Sequence, residues 1–329
     1  MDYVDGRSLK DLGFKSGTET WGSLIFARRQ TAAAKHLYRQ LADVYIQLRQ
    51  LEFPRIGALG LRSRDVSALT CDLDQIGVYN RPLSIDMALQ DLDGLQPDDI
   101  FPPRETLSTA SDFVDGLLRL AHNKLDKEPD QGMDEVEPVS ILYAAHHFER
   151  FVRDEWLDRS ADRGPFVLTH SDMEILMSNL LFDNDYNLVG ILDFVLLIQE
   201  NYSKQVSYLR TAIQEREKAL GLSPRLSTEW AHLESCVIAM GLKYPEHAYL
   251  VYWDLVFRKE VPRLRGATEE EHDQQHEKEV VPRIKAFIEA SEERRAFLER
   301  KIREQLGYFE AEKEHYGYKK PRPIIDRVC

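Results

Sequence analysis

Between Phe166 and Asp193 the chain carries four polar residues whose types suit one kind of chemistry: His170, Asp172, Asn179 and Asp193. A carboxylate such as Asp172 can accept the proton of an attacking hydroxyl. An amide oxygen (Asn179) and a second carboxylate (Asp193) are hard oxygen donors able to hold Mg²⁺ against phosphates, so the set reads as a phosphoryl-transfer site. The bland alternative is a polar turn running into a hairpin, with carboxylates that serve only as caps and turn formers. What favours chemistry is the order of the segment. A strand comes first, then His170-Ser171-Asp172, then Asn179 ahead of the apolar run Leu180-Leu181-Phe182, a polar turn, and Val189-Gly190-Ile191-Leu192 leading into Asp193.

Those residues need elements to hold them. The short apolar runs at 166–168, 180–182 and 188–192, separated by Asp183-Asn184-Asp185-Tyr186-Asn187, predict a strand and a hairpin, and this is the one β region expected. Elsewhere the apolar spacing is helical. Leu37, Leu41, Val44, Tyr45, Leu48 and Leu51 recur at intervals of three and four, which predicts one helix from 34 to 53 that stops at Pro54. Ser111-Asp112 caps a second helix, with Phe113, Leu117, Leu120 and Ala121 on one face, and a third runs from 139 to 157. Further helices are predicted over 209–219, 229–240 and 248–259. A long charged one spans 281–310, with Ile284, Phe287, Ile288, Leu298, Ile302 and Leu306 inward. The segment 62–110, rich in Asp, Gly and Pro, shows no sustained period and reads as an irregular insertion. The fold class expected is α+β, predominantly helical, with one small sheet.

Composition narrows the partners. A formal net charge of −13 opposes non-specific attraction to nucleic acid or anionic membranes, both polyanionic, and leaves a small molecule as the expected ligand. Three cysteines (Cys71, Cys236, Cys329) without a CxxC point to neither a disulfide framework nor a zinc site, so a reducing, cytoplasmic setting is expected. Hydrophobic content of 43% and charged content of 30% are those of a globular chain with a full core. No apolar run reaches spanning length.

The stretch from His170 to Phe194 resembles the catalytic segment of the aminoglycoside phosphotransferase and choline kinase family, H-G-D-x-x-x-x-N-[IL]-L-[VF]-D followed by a hairpin and G-I-[IL]-D-[WF]. His170, Asp172, Asn179, Asp183, Gly190, Ile191, Leu192 and Asp193 take those places, with Ser171 where Gly is commoner and Phe194 where Trp is commoner. Met1-Asp-Tyr-Val-Asp-Gly-Arg-Ser-Leu is similar to the family's hinge. The segments 40–49 and 53–59 are similar to its first C-terminal-lobe helix and the following turn, in a fungal-type form. The resemblance implies a protein-kinase-like C-terminal lobe divided into a hinge remnant (1–9), first helix and turn (34–61), insertion (62–110), catalytic loop and hairpin (166–194) and a helical subdomain (200–329). It further implies transfer of the ATP γ-phosphoryl to a hydroxyl of a small molecule. Asp172 would be catalytic, Asn179 and Asp193 would hold Mg²⁺, and the hinge residues Met1, Tyr3 and Val4 would meet the nucleotide. Two departures keep a second reading open. The resemblance sets in at the hinge, so the expectation is that the N-terminal lobe, with its glycine-rich loop and lysine, is missing. Asn179 follows Asp172 by seven residues, where kinase-like loops use five. The rival is a pseudokinase or truncated remnant that serves as a binding module.

Other clusters carry less. His272, His276 and Glu279 would align on a helix as metal ligands, but the run around them is polar on all sides and reads as a solvated face. Asp91-Leu92-Asp93-Gly94 has its glycine at the wrong position for a calcium loop. His146-His147 predicts one packed and one exposed imidazole.

Overall fold

A computed structural model describes residues 5–8, 11–12, 32–62, 75–128, 136–168, 180–191, 200–264 and 266–316. It is predominantly helical with small antiparallel sheets, and it divides into two compact units, neither contiguous in sequence. The first takes residues 1–85, 104–110 and 161–237; the second takes 86–103, 111–160 and 238–329. Among the described residues no helix is long and apolar enough to cross a membrane.

The first unit is organised by α1 (Ala32–Gln50) lying on α5 (Glu200–Ala219). The three-four spacing puts Leu37, Leu41 and Tyr45 on one stripe, and these pack with Leu209 and Ile213 of α5 and with Leu180 and Phe182. Burying each such side chain contributes about 1.5–3 kcal/mol, so the stripe fixes α1 in place. Polar groups set its register. Asp43 accepts from Arg216 Nε at 2.7 Å, and Arg49 grips Glu229 through two bonds of 2.9 and 2.7 Å. The short helix α6 (Arg225–Glu229) has no side-chain cap of its own. Glu217 of α5, only 3% exposed, supplies one instead, accepting from Leu226 N at 2.8 Å and Ser227 Oγ at 2.5 Å.

The described residues of this unit also form three small sheets. In one, β1 (Arg7–Ser8), β6 (Leu180–Phe182) and β7 (Leu188–Ile191) run in the order β1-β6-β7. In another, β2 (Glu52–Phe53) pairs with β5 (Phe166–Val167), and in the third β3 (Ala58–Leu61) pairs with β4 (Ile76–Asn80).

The second unit is built on α3 (Ala110–Lys127) and α4 (Val136–Phe151). Gly116 lets α3 meet the Phe101 ring, which a Cβ there would overlap. The buried amide of Gln90 ties α2 (Ile85–Leu92) to α3: it donates to Asp86 Oδ2 and Leu120 O and accepts from Asn123 Nδ2. Helix α7 (Leu233–Lys243) enters this unit at Ile238 and leads to α8 (Pro245–Val251), a π-helical turn over Tyr252–Val256 and α9 (Phe257–Glu260). Then come α10 (Glu269–Glu279), α11 (Val281–Glu289) and α12 (Glu292–Tyr316). Tyr143, His147, Tyr252 and Phe287 form an aromatic cluster, with Trp253 stacked on Tyr143 at 12° and 5.5 Å between centroids. Lys301 of α12, 2% exposed, donates to Asp126 O, Glu128 O and Glu304 Oε2, closing the carbonyl end of α3.

Several expectations change. The segment 62–110 is not irregular throughout, since it contains β4, α2 and a 3₁₀ turn over Pro97–Asp99, and the 166–193 region is therefore not the only β structure. The pairing of Gly60 with Gly77 explains why β3 and β4 lack strand-like alternation in the sequence. The helix predicted to reach Phe53 ends at Gln50, and Glu52–Phe53 turn into β2, with Leu51 left 48% exposed. The helix expected over 281–310 is broken at Ala290-Ser291, where Ser291 Oγ accepts from Arg294 N and starts α12. Leu306, expected inward, is 45% exposed, while Lys301 and Gln305 take the inward positions. The helix predicted over 229–240 begins at Leu233, and 248–259 is interrupted by the π-helical turn. His146 and His147 are both half-buried and both pack against Phe287, where one packed and one exposed imidazole were expected.

Candidate functional site

The predicted hairpin is present, and its construction follows from the residues. Leu180 and Phe182 of β6 are 0% and 1% exposed and face the α1–α5 core, which sets the strand's inner face by the two-residue period. β6 is the central strand, with Arg7↔Phe182 and Ser8↔Leu181 on one side and Leu180↔Ile191 and Leu181↔Gly190 on the other. Gly6, from the segment that resembles a hinge, sits so close that a Cβ there would meet Leu181 Cβ at 2.7 Å and Val189 Cγ2 at 3.0 Å. That close approach explains a glycine at this position.

The turn is locked from within and from outside. Asp183 accepts from Asp185 N, Asn187 N and Asn187 Nδ2, each at 2.9 Å, and these bonds, that from the Asn187 side chain first, hold its carboxyl below the ordinary range. Tyr186 takes a left-handed φ of 64° to close the turn. From α1, Gln40 donates to Tyr186 O at 3.0 Å and accepts from Leu188 N at 2.6 Å, filling with one side-chain amide the place of a neighbouring strand. His36 Nε2 lies 3.2 Å from Asn187 Oδ1, and Arg7 bonds both Asn184 Oδ1 and Asp11 O. Asp183, matched by sequence to the family pattern, is thus engaged as a turn organiser.

The entry to the loop is braced as well. Glu52 pairs with Val167 and Phe53 with Phe166, and Leu168 N continues the ladder onto Leu51 O at 3.3 Å. The Arg49–Glu229 pair, joined by Arg225 and Glu52, stands at the end of α1 that carries β2. Arg49's pKa is raised and Glu229's lowered, in each case first by their mutual hydrogen bond, so both stay charged.

The candidate residues themselves, His170, Asp172, Asn179 and Asp193, lie outside the described residues, as do Met1, Tyr3 and Val4. The described frame fixes their points of attachment. Asn179 is bonded to Leu180 and Asp193 follows Ile191 by two residues, and Leu180 and Ile191 are partners across the hairpin. Both candidate metal donors therefore join the chain at the same end of one antiparallel pair. Among the described residues no group of three His, Cys, Asp or Glu stands together to hold a metal ion, and His272, His276 and Glu279 are included in that statement. They belong to α10, which opens with a Thr268–Glu271 capping box and buries no residue.

Sequence reasoning did not single out Gln40, His36 or the Arg49–Glu229 pair. Gln40 falls on the polar side of the α1 pattern, one residue before the buried Leu41. Its role depends on a turn far away in the chain, which no local spacing signals. Comparison with models of known protein families, with characterised proteins and with solved structures found no match to this chain.

Proposed function

We propose that the chain is a phosphotransferase of the aminoglycoside phosphotransferase and choline kinase type, with a protein-kinase-like C-terminal lobe, that moves the γ-phosphoryl of ATP to a hydroxyl of a small molecule. The observation that supports this reading is the braced hairpin. In its register Leu180, which follows Asn179, pairs with Ile191, two residues before Asp193, and the segment carrying Asp172 lies between β5 and β6 in the chain. One amide and one carboxylate oxygen form a donor set that suits Mg²⁺, and Asn179 and Asp193 would hold it. When bound, the ion would neutralise phosphate charge. Asp172 would orient the acceptor hydroxyl and take its proton, and His170 precedes it by two residues. The hinge residues Met1, Tyr3 and Val4 would border the nucleotide.

One observation favours a second reading, a non-catalytic pseudokinase that uses this frame as a binding module. The interval from Asp172 to Asn179 is seven residues against the usual five, and misplacing a catalytic group by about 1 Å costs on the order of a hundredfold. Calorimetry with ATP, with and without Mg²⁺, on the wild-type chain and on Asp193→Asn separates them. The enzyme reading expects Mg²⁺-dependent binding that the variant loses. Binding indifferent to both the metal and the substitution would leave the module reading in its place.

A further inference from the structure

The second unit contains a cavity of about 310 Å³ where α3, α4, α7 and α8 converge. All of its lining residues belong to the second unit, and what is inferred from it does not depend on the phosphotransferase reading. Its floor is buried and apolar, from Leu117, Leu125, Phe148, Leu242 and Ala248. Ala121 of α3 and Ala145 of α4, both half-buried, line it as well, two small side chains where larger ones would fill the space.

The helices cannot close on this space. Gly241 already brings α7 to its limit against α4, since a Cβ there would lie 3.0 Å from Phe148 Cζ and 3.3 Å from Val251 Cγ2. Polar contacts also tie α3 to α4 and to the π-helical turn over Val152–Trp156 that follows it. His122 meets Glu149 Oε2 at 2.7 Å, and Arg153 bonds both Glu149 and Asp115. The hydrogen bonds from His122 first and then Arg153 hold the Glu149 carboxyl down at about 2, so Glu149 is ionised at neutral pH. A cavity fixed in this way is preorganised, and its volume lies at the lower end of small-molecule pockets, roughly 300–1,000 Å³. A dry apolar cavity of about 150 Å³ already takes benzene, so this one has room for a larger ring system.

The charged residues of the lining set the ligand's class. His122 is paired with Glu149, Lys124 lies 3.8 Å from the buried Asp86, and Glu128 is likewise engaged. An ionic ligand would have to break one of these pairs to find a counter-ion, whereas a neutral hydrogen-bonding group would not. We propose that this cavity is a binding site for a compact, uncharged, mostly apolar small molecule of one or two rings, with a hydroxyl or carbonyl group.

The test uses 2-naphthol as probe and 2-naphthoate as its charged counterpart, titrated by NMR on the full chain. Saturable binding of 2-naphthol is expected, with shifts at the Ala121 and Ala145 methyls and at least about tenfold weaker binding of 2-naphthoate. Ala145→Phe and, independently, Ala121→Leu should each weaken 2-naphthol binding about tenfold or more without lowering the thermal midpoint, because they fill space that is already open. Absence of saturable binding to the wild type, equal affinity for 2-naphthoate, shifts that miss both methyls, or unchanged affinity in a folded variant would each overturn the proposal. If both variants fail to fold, the methyl shifts and the naphthol-to-naphthoate ratio on the wild type decide.

Discussion

Replacing Gln40 with Ala should loosen the hairpin and leave the rest of the first unit in place. The wild-type side chain makes two bonds to the hairpin backbone, 3.0 Å to Tyr186 O and 2.6 Å from Leu188 N. Leu188 is half-buried, so its N–H loses a partner that water replaces only in part, while Tyr186, 37% exposed, regains most of its hydration. A net hydrogen bond contributes about 0.5–1.5 kcal/mol and a buried orphan costs about 1–3, which puts the total near 1–2 kcal/mol. That corresponds to roughly a 5–30-fold larger open population of the hairpin. Native-state hydrogen exchange reads it directly: the Leu188 amide should exchange faster by that factor, while amides of α5 in the α1–α5 core change little. Gln40→Glu separates the two bonds, because a carboxylate still accepts from Leu188 N but repels Tyr186 O, and should protect Leu188 better than Ala does. Unchanged exchange at Leu188 in Gln40→Ala would refute the idea that α1 holds the turn.

The remaining predictions concern the second unit. Burial, then the neighbouring His146 and Arg150, pushes the His147 pKa down to about 4, with Arg294 acting in the same sense and Glu260 opposing. The unfolded imidazole titrates near 6.5, so the unfolded chain binds more protons and stability falls as pH drops from about 6.5 to 4. Discounted for partial exposure the loss is roughly 1–2 kcal/mol, and urea titrations of His147→Phe should show a shallower pH slope than wild type; an equal slope would remove His147 from the explanation. Gly116→Ala gains about 1 kcal/mol of helix propensity but drives a methyl into the buried Phe101 ring, so a net loss of stability by thermal denaturation is expected and a gain would show that Phe101 yields. Lys301→Met strips the charged donor from Asp126 O, Glu128 O and Glu304, and should cost about 2–3 kcal/mol in urea unfolding, against near-neutrality if the lysine is merely tolerated.

How much the sequence revealed depends on whether the signal was local. The stripe Leu37, Leu41 and Tyr45 and the hairpin around Asp183–Asn187 were both legible, because a helical or two-residue period and a polar turn are written within a few residues. Strands β3 and β4 were not, since Gly60 and Gly77 face each other within the pair and interrupt the apolar alternation that Leu59–Val78 and Leu61–Ile76 make across it. Inward Lys301 and Gln305 contradict the apolar stripe expected of α12, because Lys301 answers the free carbonyls at the end of α3, a need set by tertiary structure. The candidate chemistry is proposed from the spacing of His170, Asp172, Asn179 and Asp193 alone, whereas the Gln40 clamp on the neighbouring hairpin arises from residues far apart in the chain.

The most direct measurement of the proposed site is paramagnetic broadening of backbone amides by Mn²⁺ in the presence of ATP. With Asn179 and Asp193 as donors, the amides of Leu180, Leu181, Gly190 and Ile191 should broaden first, and Asp193→Asn should abolish the effect while leaving the hairpin's shifts in place. Broadening that centres elsewhere in the chain, or persists unchanged in Asp193→Asn, would contradict the metal site and with it the phosphotransferase reading.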